Sequence, residues 1–192
     1  MNTAQDTRTQ ILDIAQDLIQ RQSYSGISFQ NLAKAIGIKK GSMYYHFESK
    51  EELVIAMLER AGKELQVRFQ QGSHKSAVER LEYYFSIYDR FMEPGNKLCP
   101  AGAFVGEWDK LTPAIQSAVK RVFNIQVAGV EVILEAGISN GEFQPNGEGA
   151  HSLAYWIVSN LQGALLTSRA MGSQDPFTHS LQMIRHFLGA AG

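Results

Sequence analysis

Residues 39 to 46 bring cations, hydroxyl groups and flat rings together within eight positions. The run contains Lys39, Lys40, Ser42, Tyr44, Tyr45 and His46. In proteins that bind nucleic acids, groups of these kinds contact phosphate oxygens and the edges of bases in the grooves. The chemistry that this spacing indicates is recognition of a nucleic acid, with no bond made or broken.

Two short helices around a tight turn would position these side chains. The apolar residues that can bury one side of both helices are Ile27, Leu32, Ala33, Ile36, Ile38, Met43 and Phe47. Gly37, between the two helices, supplies the backbone freedom that a sharp turn needs. Residues 27 to 50 therefore predict a helix-turn-helix whose second helix presents its polar and aromatic side chains to DNA.

The distribution of charge supports the same prediction. Residues 18 to 47 contain no Asp or Glu, whereas an even spread of the acids would place about three in a window of that length. Residues 1 to 50 hold six Lys or Arg and four acids, and residues 51 to 192 hold twelve and fifteen. The chain is nearly neutral as a whole, but its basic surface lies at one end, as phosphate binding requires.

The order of motifs in the first sixty residues is similar to the N-terminal domain of the tetracycline-repressor (TetR) family of bacterial transcription regulators. The matching segments are Thr9 to Ala15, Gly26 to Ser28, Leu32 to Ile38, Gly41 to Phe47 and Ser49 to Leu53. The resemblance implies DNA contacts from Gln30, Lys40, Gly41, Ser42, Tyr44, His46 and Lys50. The exposed set adds Lys39 and Tyr45 to these candidates.

Each candidate DNA contact has an ordinary structural alternative. The tyrosine rings could belong to the core, as we expect for Phe47, but the basic turn beside them favours a DNA role for Tyr44 and His46. An isolated surface lysine is usually just a solvated charge. Because Lys39, Lys40 and Lys50 cluster around one helix, we expect phosphate contacts from them instead.

The rest of the chain predicts an all-α fold, with helices nearly everywhere and no strand-like alternation. The first predicted helix ends near Tyr24. After the helix-turn-helix, further predicted helices span about 49–71, 77–92, 103–109, 113–139, 151–171 and 175–188. We expect a three-helix DNA-binding domain at residues 1–48 and an effector-binding and dimerisation domain at 49–192. Apolar surface on the last two helices predicts a four-helix interface between two copies of the chain.

Aromatic residues are dense in the predicted second domain. The resemblance places a small-molecule effector pocket there, and bundles hold such sites between helices. The candidate lining is Tyr84, Tyr88, Phe91, Phe104, Trp108, Phe123, Trp156 and Gln162, with Tyr88 and Gln162 as orienting groups. The alternative is that these rings are ordinary core residues.

Other features bound the chemistry of the chain. The single cysteine, Cys99, cannot form an internal disulfide, and we expect it to be structural and not a redox sensor. The histidines are scattered and no Cys or carboxylate completes a ligand set, so we expect neither metal nor cofactor. The N-terminus has no apolar signal core, and the longest apolar run, 153–158, is too short for a bilayer. We therefore expect a cytoplasmic protein without a membrane partner.

Two classes of function remain. The first is a homodimeric transcriptional regulator, which we expect to be a repressor, whose partners are a palindromic double-stranded DNA operator and an unknown small-molecule effector. The second is an all-helical enzyme or small-molecule-binding protein whose N-terminal helices only pack. The sequence has no glycine-rich phosphate loop, His-Glu metal pair or nucleophile turn. We therefore predict a regulator and not an enzyme.

Overall fold

The computed structural model of the chain describes residues 3–92, 97–145 and 147–189. Its α-helices are α1 (Thr3–Gln22), α2 (Phe29–Ile36), α3 (Lys40–His46), α4 (Lys50–Gln71), α5 (Ala77–Ser86), α6 (Pro113–Ser139), α7 (Ala150–Met171) and α8 (Asp175–Leu188). Two 3₁₀ segments span Asp89–Phe91 and Gly102–Lys110. Within these ranges there is no strand, and the predicted all-α fold is confirmed.

Helices α2 and α3 form the predicted helix-turn-helix. The Ser28 hydroxyl caps α2 by accepting a hydrogen bond from the Asn31 N–H at 3.1 Å. At the other end of α2, Gly37 takes the left-handed conformation, with φ +81°. That conformation costs little only for glycine, so Gly37 sets the angle at which α3 leaves the turn.

Apolar side chains from α1 to α4 form one buried core. Its members include Ile11, Ala15, Ile19, Ile27, Phe29, Leu32, Met43, Phe47, Leu53 and Met57. The prediction that Phe47 is a core residue is confirmed, because its side chain is buried. This core fixes α3 from behind and leaves its other face to solvent.

The predicted helix from 77 to 92 is wrong in its second half. Helix α5 starts with a reciprocal cap between Ser76 and Glu79 but ends at Ser86. Beyond it the backbone tightens, since the Tyr88 N–H donates to the Phe85 carbonyl at 2.9 Å. Apolar spacing continues through Asp89–Phe91, so the sequence pattern does not reveal the change from α to 3₁₀ geometry.

The long helix α6 begins and ends where the sequence predicted. Pro113 opens it after Thr112, and Gly141, with φ +74°, follows its end. By length and composition α6 would be able to cross a membrane, although a core helix of a soluble protein passes the same test. Nine of its side chains are buried, among them Ile115, Val130 and Leu134.

Two compact units divide the chain. One comprises Met1–Gly62 with Pro100–Val122, and the other comprises Lys63–Cys99 with Phe123–Gly192. Helices α4 and α6 therefore each contribute residues to both units. The functional boundary predicted at residue 48 stays a prediction.

Candidate DNA-binding surface and effector site

The face of α3 that the core leaves free carries most of the predicted DNA contacts. Lys39, Lys40, Gly41, Ser42, Tyr44 and Tyr45 are exposed, and so is Gln30 on α2. The exposed fraction is 53% for Tyr44 and 80% for Tyr45, which is high for aromatic side chains. His46 is half-buried. The structure thus brings the predicted contacts of residues 39 to 45 to one surface, which we call the α3 face.

Ring contacts hold part of the α3 face in place. The Tyr44 ring packs edge-on against the buried Phe29 ring at a centroid distance of 5.1 Å. The Tyr45 and His46 rings meet edge-on at the same distance. Such contacts restrict the rings before any partner binds, which lowers the entropy cost of binding. A Cβ on Gly41 would meet nothing within 4 Å, so open space surrounds this position.

Lys50 is placed differently from the other predicted lysines. Its ammonium donates a hydrogen bond to the Tyr24 carbonyl at 2.7 Å and lies 3.8 Å from the centroid of the Tyr24 ring. Burial lowers the pKa of Lys50, and the Glu107 carboxylate acts in the opposite direction. These internal contacts compete with the phosphate contact that the sequence suggested.

Arg8 is a further cation of the same unit, and no pattern in the sequence indicated it. The Arg8 guanidinium of α1 lies 4.5 Å from the centroid of the Phe47 ring, at the C-terminal end of α3. No spacing pattern marks Arg8, because its ring partner lies far along the chain.

The predicted effector residues are divided between the two units. Phe104 and Trp108 belong to the first unit, and the other six belong to the second. Within the second unit, Tyr84, Tyr88 and Gln162 come together, and the Phe91 ring lies 5.7 Å from the Tyr88 ring. Phe123 is half-buried on α6. Trp156 instead packs against Phe187, at a ring distance of 5.0 Å.

A buried amide, Gln126 of α6, joins the clustered residues into one hydrogen-bonded network. Its Oε1 accepts from the Tyr84 hydroxyl at 3.2 Å, the Tyr88 hydroxyl at 2.8 Å and the Gln162 Nε2 at 3.4 Å. The Gln126 Nε2 lies 3.8 Å from the Cys99 Sγ. Gln126 is not among the residues predicted from the sequence, since a polar residue inside an apolar helix carries no pattern of its own.

Burial sets the protonation of this network. It raises the pKa values of Tyr84 and Tyr88, so both hydroxyl groups stay neutral and remain hydrogen-bond donors. Cys99 is buried, with 4% of its surface exposed. The network is therefore a neutral polar patch inside an apolar core.

An open groove of about 480 Å³ lies next to the network. Its lining is Asp89, Met92, Gln174, Phe177, Thr178, Leu181, Gln182 and Arg185. The Phe177 ring at this groove stacks on Tyr88 at 5.7 Å. Two charge-assisted hydrogen bonds of 2.6 Å hold Arg185 against Glu82, which leaves Asp89 as the acid of the groove. The volume lies in the range of small-molecule sites, but only Met92, Phe177 and Leu181 of the lining are apolar, and the groove is open to solvent.

Two regions of the chain match known protein families. Residues 11–57 match the family described as bacterial regulatory proteins, tetR family. Residues 77–184, more than half of the chain, match the tetracyclin repressor-like C-terminal domain.

Individual proteins resemble the chain over nearly its whole length. The HTH-type transcriptional repressor NemR of Escherichia coli (strain K12) is 25% identical, over 97% of this chain and 96% of NemR. The repressor DhaR of Mycobacterium sp. (strain GP1) is 23% identical, over 92% of this chain and 89% of DhaR. A TetR transcriptional regulator of Legionella pneumophila, solved by crystallography, is 30% identical with a TM-score of 0.83, over 93% and 95% of the two chains.

The all-helical fold and the α3 face, with these matches, define a DNA-binding regulator of transcription and not an enzyme. More narrowly, the chain belongs to the TetR family of bacterial transcriptional regulators.

Proposed function

We propose that this protein is a cytoplasmic repressor that reads a palindromic operator through the α3 face and leaves it when a small molecule binds the second unit. The α3 face is the observation that carries the proposal. It offers two lysines, a serine and two tyrosines to solvent, in a stretch of the chain without acidic residues. The repressor names of NemR and DhaR support the direction of regulation.

Two copies of the chain would place two α3 faces on one palindrome. Exposed apolar side chains on α7 and α8 support the dimer, since Tyr155, Leu166 and Met183 are 51%, 60% and 62% exposed. Covering such surface favours self-association. In a twofold dimer the two α3 helices would enter major grooves one helical turn, or a multiple of it, apart.

The Gln126 network and the groove beside it are the proposed effector site. The network supplies neutral hydrogen-bonding groups, and the surrounding rings supply apolar contact. A neutral aromatic or aliphatic compound with one or two polar atoms fits this lining. An effector that weakens operator binding a hundredfold needs about 2.7 kcal/mol of differential affinity for the two states.

DNA selection tests the proposed reading of an operator. The purified protein should enrich a palindrome from a pool of random duplexes, with half-sites one or two helical turns apart. Heparin retention should fall steeply with salt, because phosphate contacts release counterions. If no palindrome is enriched and the protein passes through heparin at low salt, the alternative of a helical binding protein without DNA function replaces this proposal.

Ligand titration tests the effector site. Compounds are titrated against the protein alone and against the protein–operator complex, because a ligand with equal affinity for both states releases nothing. Tyr88→Phe keeps the ring and removes the hydroxyl, Cys99→Ser removes the thiol, and Trp108→Phe probes the first unit. Weaker release in Tyr88→Phe supports the network. Loss of release in Cys99→Ser alone would favour a thiol-based sensor, and unchanged release in all three would place the site elsewhere.

A further inference from the structure

The turn between α1 and α2 is held in an uncommon backbone conformation. Ser23, directly after α1, has φ +66°, and it is the one non-glycine residue with positive φ in the described part of the chain. Side chains with a Cβ rarely adopt this region unless other contacts hold them there. Ser23 therefore needs a partner that compensates for its conformation.

Glu107, from the distant 3₁₀ segment Gly102–Lys110, is that partner. Its carboxylate accepts hydrogen bonds from the Ser23 hydroxyl, the Ser25 hydroxyl and the Ser25 N–H, the last at 3.0 Å. Lys110 lies 3.2 Å from the same carboxylate, and only 13% of the Glu107 side chain is exposed. The hydrogen bond from the Ser23 hydroxyl has the largest effect on the pKa of Glu107. Together with the hydrogen bonds from the Ser25 hydroxyl and amide, it lowers this pKa to about 2. The carboxylate is thus fully ionised at neutral pH.

Tyr24, between the two serines, is held as well. Its carbonyl accepts from the Lys50 ammonium, and its ring lies 6.1 Å from the ring of Phe104, which belongs to the same 3₁₀ segment as Glu107. All three residues of the turn are therefore attached, two of them to Glu107. Three residues further on, Ser28 caps α2, so the position of the turn sets where α2 and α3 lie.

We infer that Glu107 is a positioning residue for operator binding, because it fixes the turn 23–25 and through it the orientation of α2 and α3. This role rests on the proposed reading of DNA by the α3 face. Glu107 lies on the segment that leads directly into α6, the helix that carries Gln126. Through Glu107 the turn 23–25 is thus linked to the segment that leads into α6, in addition to the chain connection through α4.

The direction of the change in DNA affinity separates positioning from a simple effect of charge. Removing an acid from a DNA-binding protein normally strengthens its binding, since repulsion of phosphate falls. Asp109→Asn, an exposed acid two residues away, is the matched control and should bind a selected operator as tightly as the parent or more tightly. Glu107→Gln removes the same charge but should bind about tenfold more weakly, the result if the competent orientation falls to about a tenth of its population. Affinity for an unrelated duplex should stay the same or rise in both variants, because the effect of charge does not depend on the DNA sequence.

A rescue variant separates positioning from general packing. Glycine adopts positive φ without strain, so Ser23→Gly added to Glu107→Gln should recover part of the lost operator affinity. A packing defect would not respond to that change. Ser25→Ala, which removes one exposed hydroxyl, should show a smaller loss and carries the test if Glu107→Gln does not fold.

Fluorescence anisotropy with the selected operator and an unrelated duplex provides the readout. Equal operator affinity of Glu107→Gln and Asp109→Asn would overturn the role of Glu107 while leaving the proposed function intact. If the parent protein itself selects no operator, the proposed function is refuted, and the role of Glu107, which rests on it, is refuted with it. Loss of operator affinity in Glu107→Gln without any recovery by Ser23→Gly would also overturn the positioning role.

Discussion

Replacing either of two lysines at the edge of the helix-turn-helix by alanine should change a different property of the protein. Lys40 is exposed at the first position of α3, and within the described residues its ammonium makes no hydrogen bond or ion pair. Lys50 is bound to the Tyr24 carbonyl and ring. We therefore expect Lys40→Ala to affect DNA binding alone and Lys50→Ala to affect folding stability first.

The expected magnitudes follow from these contacts. A lysine that neutralises one phosphate contributes about 0.9 to the slope of log affinity against log salt, or about 1.8 for the two copies in a dimer. When salt rises from about 50 to 200 mM, the affinity of both dimers for DNA falls. The factor by which it falls should be about twelve times smaller for Lys40→Ala than for the parent. Lys50→Ala should lower the free energy of unfolding by about 1–2 kcal/mol, from one hydrogen bond and one cation–π contact near the surface.

Two measurements decide this comparison. Anisotropy titrations of a selected operator at four salt concentrations give the slope, and urea denaturation gives the free energy of unfolding. An unchanged slope for Lys40→Ala would refute its phosphate contact. A reduced slope for Lys50→Ala at parental stability would show that its ammonium leaves Tyr24 to bind DNA, and the structural reasoning would be wrong.

Three further outcomes are expected. Gly137→Ala should lower the free energy of unfolding by about 1–2 kcal/mol, because the added Cβ would overlap the buried Phe143 ring and the better helix propensity of alanine offsets only part of that cost. Urea denaturation measures the change, and unchanged stability would contradict the packing. Glu107, with its pKa lowered from 4.5 to about 2, should stabilise the fold fully above pH 4.5 and lose this effect as the pH falls towards 2. The stability difference between parent and Glu107→Gln should shrink over that window, and a constant difference would exclude the ionic contact. Light scattering should give twice the chain mass of 21.3 kDa for the parent and a single chain mass for Leu166→Glu, whereas a monomeric parent would refute the dimer.

Local patterns in the sequence were enough to predict the helix-turn-helix. Gly37 marked the turn, and the apolar positions around it identified which face of α3 is buried. The start of α6 at Thr112 and Pro113 was equally clear. These features depend on neighbours within a few residues, so a single sequence carries them.

Interactions between distant residues could not be predicted in the same way. Lys50 occupies a family position that suggests DNA, yet Tyr24, 26 residues earlier, binds its ammonium. Glu107 and the turn at Ser23 are 84 residues apart, and no spacing rule connects them. Gln126 gathers its partners from α5, from Tyr88 just beyond the end of α5, from α7 and from the segment of Cys99, so its role emerges only when the helices are packed.

The buried thiol of Cys99 offers a way to observe the second unit without DNA. It is the only cysteine of the chain, so an alkylating reagent reports on one position without background. A buried thiol reacts only during transient opening, and its rate of modification therefore measures how often this region exposes itself. A compound that binds only the closed form at a hundred times its Kd should slow that reaction about a hundredfold. Alkylation kinetics would then rank candidate effectors before any operator is known.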